Sequence, residues 1–95
     1  MGNKPIRYSD HLEDRIVLRR IESDLPERII REAQRYFTDT ATGYQIAVAD
    51  GVYRGENHLM MVAFEETESD IIAITIHPLD ERDVNRKLAN GRWQP

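Results

Sequence analysis

Ile71-Ile72-Ala73-Ile74-Thr75-Ile76-His77-Pro78, followed by the charged stretch from Asp80 to Trp93, is the segment whose reading decides the fold. Its first part is almost wholly apolar and β-branched, the composition of a strand buried on both faces. Pro78 ends that strand, and Asp80 is placed to cap a short basic helix carrying Arg82, Arg86 and Lys87. Asn90-Gly91 is a helix stop. The expected unit is a buried central strand, 71–77, leading into a helix that runs to about Asn90.

Outward from this segment, Glu65 to Asp70 reads as an acidic tight connection, and His58 to Phe64 as the preceding strand. Asp50-Gly51 is the strongest short hairpin signal, with Val52 to Arg54 beginning the return and Gly55 marking a bulge or kink. Before it, Tyr44, Ile46 and Val48 alternate with Gln45, Ala47 and Ala49, the period of a strand. Further upstream the period is helical. Ser9 and Asp10 cap a first helix whose buried face is Leu12, Ile16, Val17 and Ile21, with His11, Arg15 and Arg19 on another stripe. Asp24-Leu25-Pro26-Glu27 starts a second helix, Asp24 as cap and Glu27 completing a capping box. Its apolar face is Ile29, Ile30, Ala33, Tyr36 and Phe37. Pro5 to Tyr8 is a short lead-in strand or extended arm.

The expected fold is therefore α+β: two N-terminal helices packed on a three- or four-stranded antiparallel sheet, with a short C-terminal helix. Ninety-five residues make one domain, 1–95, with a single modest core. The apolar fraction of 40% beside 32% charged residues is that of a water-soluble globular chain. No apolar run reaches the roughly 18 residues of a membrane helix, and the N-terminus lacks a secretory signal. There is no cysteine, which excludes disulfides and zinc fingers and agrees with a cytoplasmic location.

Charge is unevenly spread. The net charge of −4 is made of +1 over residues 1–37, −8 over 38–81 and +3 over 82–95. Phosphate neutralisation dominates nucleic-acid affinity, so any such role needs a local patch built from the two ends of the chain. His77, at a strand end beside a cationic helix, is the first candidate for a site, since strand ends expose groups to a cleft. His11 is the second. The ordinary alternative for His77 is a core or strand-end histidine hydrogen-bonded to a backbone carbonyl, and for His11 a cap or packing role. His58 fits a surface position. Arg15 and Arg19 either face the His11 side or pair with neighbouring acids. Arg54 is the one cation of the middle segment, and Arg86 and Arg92 belong to the basic end. Trp93 fits a core residue closing a sheet edge, and Met60-Met61 fits one core and one exposed side chain. No metal-ligand spacing links the histidines, so neither metal nor cofactor is expected.

Tyr8-Ser9-Asp10-His11 with Arg15 and Arg19-Arg20, together with Ile74-Thr75-Ile76-His77-Pro78-Leu79, Arg86 and Gly91-Arg92-Trp93, resembles the opening and closing segments of small members of the RelE/ParE-like toxin superfamily. These proteins share the barnase–EndoU–colicin–RelE nuclease fold. The resemblance implies a ribonuclease toxin of a toxin–antitoxin pair, cleaving RNA without metal by attack of a ribose 2′-hydroxyl on the adjacent phosphate. His77 and His11 would transfer protons, and Arg15, Arg54, Arg86 and Arg92 would hold phosphate. RNA or the ribosome would be the target and an antitoxin the protein partner, with no membrane association. The competing expectation is a non-catalytic module on the same fold that binds protein or itself, as in a homodimer.

Overall fold

The computed structural model describes residues 4–95. Strand β1 (Ile6–Tyr8) leads into helices α1 (Asp10–Arg19) and α2 (Leu25–Glu32). Four strands follow, β2 (Arg35–Asp39), β3 (Gln45–Tyr53), β4 (Glu56–Glu66) and β5 (Ile71–Pro78), then α3 (Glu81–Ala89) and β6 (Trp93–Gln94). The class is α+β, but the expected layout is wrong. The sheet has six strands in the order β1-β5-β4-β3-β2-β6, it is mixed because β1 runs parallel to β5, and the first two helices lie between strands.

Three local signals account for the added strands. The lead-in segment pairs Ile6 with Ile71 and Tyr8 with Ala73, and Lys4–Glu66 and Arg7–Asp70 ion pairs hold it there at 2.8 and 2.7 Å. The second helix stops four to five residues short of Tyr36 and Phe37, because Ala33 turns to extended backbone and the next residues pair with β3. There Tyr36 packs on one face of the sheet and Phe37 on the other, so strand pairing overrides a helical spacing. Trp93, as expected, closes the core at a sheet edge, in the short β6 beside β2.

The hairpin is also displaced. Asp50-Gly51 lies inside β3, and the turn is Arg54-Gly55, closed by the Tyr53–Glu56 pair with φ of 53° and 79°, the two positive values of a type I′ turn. Gly51 is needed for another reason: a Cβ there would stand 3.0 Å from Leu25 Cδ1, so α2 approaches the sheet through it.

The helices cover both faces. On the first, Leu12 and Ile16 of α1 and Leu25, Ile29 and Ile30 of α2 pack on Ala47, Met60, Val62, Phe64 and Ile76. Val17, assigned to this buried face by its spacing, is 78% exposed instead. On the second face Val84 of α3 and Trp93 pack on Phe37, Ile46, Val48 and Met61. Met60 and Met61 are thus both core, one on each face. Each such fully buried aliphatic side chain contributes about 1.5–3 kcal/mol.

Caps follow the sequence at two helices and not at the third. Ser9 accepts from the Leu12 N–H, and Asp80 with Asp83 forms a reciprocal capping box. Asp24 makes no side-chain cap. The α2 terminus is held instead by Tyr8, whose hydroxyl donates to Ser23 O at 2.6 Å and accepts from the Glu27 N–H at 3.2 Å.

Candidate functional site

β5 decides where His77 points. Phe64 pairs with Ala73 but Ala63 pairs with Thr75, leaving Ile74 as the extra residue of a bulge. Ile71 and Ala73 face the helix-covered first face; a regular strand would put His77 there too. After the bulge the parity is reversed: Ile76 takes the first face, and Thr75 and His77 turn to the second. A run of β-branched residues without polar alternation carries no signal of this change.

On the second face, α3 and β6 cover part of the sheet and leave a groove of about 220 Å³. Thr75, His77, Tyr44 and Thr42 line it, with Lys87 from α3 and Arg92 from the turn before β6. Its floor is Ile46, Met61, Ala63 and Trp93. His77 is exposed, and its Nδ1 lies 3.2 Å from Pro78 O. A carbonyl only accepts, so in a hydrogen bond there Nδ1 is the donor and Nε2 is the other ring nitrogen.

Two contacts fix the cations. Lys87 Nζ stands 5.6 Å from the Trp93 ring centroid, over a ring itself stacked on Phe37 at 5.4 Å. Arg92 Nε donates to Asp39 Oδ1 at 2.9 Å, and the same oxygen accepts from the Ala41 and Thr42 N–H groups. Burial pushes the Asp39 carboxyl up, but the Arg92 hydrogen bond and the two backbone donors outweigh it and hold the group at about 2. The same hydrogen bond raises the Arg92 guanidinium. Asp39 is thus an anion at neutral pH committed to one cation, and Lys87 contributes a second positive charge to the groove that holds His77.

The remaining candidates lie elsewhere. His11 is exposed on α1, in the layer over the first face, and does not line the groove that holds His77. The proposed histidine pair is not assembled there. Arg15 is half-buried on the same helix. Arg54, at the hairpin tip, sits 5.3 Å from the Tyr53 ring centroid and borders a shallow depression with Leu18, Arg19 and Arg20. Arg86 turns back to Asp83 at 2.7 Å and does not line the groove. His58 is half-buried against Tyr53 and 3.7 Å from Glu56. Of the six sequence candidates, His77 and Arg92 share one site.

Lys87, Tyr44, Thr42, Thr75 and Asp39 are polar lining residues that the sequence candidates did not include. Lys87 was legible: it falls one turn after Val84 and beside Leu88, so the helical period puts it on the sheet-facing stripe. Tyr44 and Thr42 come from the β2–β3 connection and reach the groove through strand pairing, which no local pattern encodes. Among the described residues, no three His, Asp or Glu side chains gather into a metal-holding group, and no helix is long and apolar enough to cross a membrane. Compared with known family models, curated proteins and solved structures, the chain matches none.

Proposed function

We propose that the groove beneath α3 binds a phosphodiester of single-stranded RNA and cleaves it without metal, as the toxin of a cytoplasmic toxin–antitoxin pair. The observation carrying this reading is that the exposed His77 shares one groove with Lys87 and Arg92. In this reading His77 takes the proton of the ribose 2′-hydroxyl, the 2′-oxygen attacks phosphorus, and the bond to the 5′-oxygen breaks. Lys87 and Arg92 stabilise the charge that gathers on the phosphoryl oxygens. Tyr44, lining the same groove, supplies the proton to the departing 5′-oxygen. Arg92 is held by Asp39 before substrate arrives, so its orientation costs nothing at the moment of reaction.

The test is cleavage of a mixed-sequence single-stranded RNA in the presence of a chelator. His77→Ala lowers the rate about 100-fold or more, and Lys87→Ala weakens binding. His11→Ala leaves the rate unchanged, since that ring is outside the groove. Full activity in His77→Ala sinks the assignment. One observation favours a second reading: a groove with a single histidine suits a non-catalytic module that binds protein or itself. Folded wild-type protein that cleaves nothing, with or without ribosomes, decides for that module.

A further inference from the structure

We infer that the C-terminal end of α1 and the β3–β4 hairpin tip form a docking surface for an acidic amphipathic helix of a partner protein. Val17 and Leu18 are 78% and 75% exposed on adjacent positions, although the neighbouring Leu12 and Ile16 are buried. With Val52 they are the large hydrophobic side chains that the described residues leave in solvent. Leu18 borders one depression with Arg19, Arg20 and Arg54. Among the described residues, none of these three arginines pairs with a carboxylate.

That absence is informative in a chain of net charge −4. Arg54 has nine acids and no other cation in its own segment, yet the hairpin carries it to two more arginines. Arg20 and Arg54 both adopt left-handed backbone, with φ of 54° and 53°, a conformation disfavoured for non-glycine residues. The exposed Leu18 beside three unpaired guanidinium groups, with the exposed Val17 next to it in the chain, is complementary to a helix bearing leucine-type side chains flanked by carboxylates. RNA would meet the charges but gain nothing from Val17 and Leu18, which is why a protein segment is the favoured occupant. The surface does not include the His77 groove, so it stands whether or not that groove cleaves RNA.

The experiment is an amide NMR titration of the full chain with a synthetic amphipathic helix about four turns long, leucines on one face and glutamates beside them. Shift changes centred on residues 17–20 and 54, with saturable micromolar binding, are expected. Leu18→Ser and Arg54→Ser each weaken that binding about fivefold, the scale of an interface side-chain truncation. Both positions are exposed, and an unchanged circular dichroism melt confirms that the variants fold. No shifts at 17–20 and 54 at millimolar peptide overturns the inference. So does equal binding of a peptide with serine in place of leucine. Tighter binding of a single-stranded RNA at the same residues replaces the partner helix with nucleic acid.

Discussion

The two faces of the sheet are built from the same strands and do different work. On the first face, two helices and the sheet together bury a cluster of thirteen apolar side chains. On the second, one helix and a two-residue strand complete a cluster of seven, and the part left open carries His77, Lys87, Arg92 and three hydroxyl-bearing side chains. A closed face contributes stability; a partly covered face holds polar groups at fixed positions over a rigid floor. Here the candidate chemistry collects where packing is least complete.

Core truncation on both faces gives the largest effects and tests that contrast most directly. Trp93→Ala and Ile30→Ala are each expected to cost about 3–5 and 2–5 kcal/mol in urea denaturation. They differ in what else they do. Trp93→Ala removes the ring under Lys87 and lowers any activity of the groove, while Ile30→Ala, on the far face, leaves the folded protein's RNA affinity unchanged. Equal loss of RNA affinity in both would mean that the faces are not separable.

An intermediate effect comes from Asp39. Its folded value of about 2 lies below the ordinary 3.8, so the carboxylate adds stability that is full well above 3.8 and is lost as pH falls through about 2. The gap corresponds to about 2 kcal/mol. Wild-type stability therefore falls between about pH 5 and pH 2, and Asp39→Asn removes about that much of the fall. An identical acid profile in the variant would assign the loss to other groups. The carboxyls of Glu66, Asp70, Glu81 and Asp83 are also lowered, by partners including Lys4, Thr67, Arg35 and Asp80, and drop out in the same direction.

The smallest effect sharpens the description of the closed face. Tyr8→Phe deletes the hydroxyl that bridges Ser23 O and the Glu27 N–H, and is expected to cost about 1 kcal/mol by thermal melting. Asp24→Ala, at the position that looks like the cap, is expected to cost less. The reverse order would restore Asp24 as the α2 cap.

Much of the molecule is legible in the sequence alone. Ser9 and Asp80 name their helix starts because a side-chain oxygen two or three residues from a free N–H is a local matter. The alternation at 44–49 names the two faces of β3 for the same reason, and the buried run at 71–77 names β5. What failed was non-local. Asp50-Gly51 has turn chemistry, but the glycine is needed where Leu25 approaches, and Arg54 took the turn at the cost of a positive φ. Tyr36 and Phe37 fit a helical stripe until β3 offers them hydrogen bonds.

The site divides in the same way. The sequence by itself determined that His77 ends a buried strand, that a capped basic helix follows, and that Arg92 and Trp93 adjoin, because composition and capping act over a few residues. Only the tertiary structure decided that His77 faces Lys87 and Arg92 and that His11 lies over the other face. That choice rests on the single extra residue Ile74, which reverses the side-chain parity of β5, and a bulge is defined by the strand opposite it.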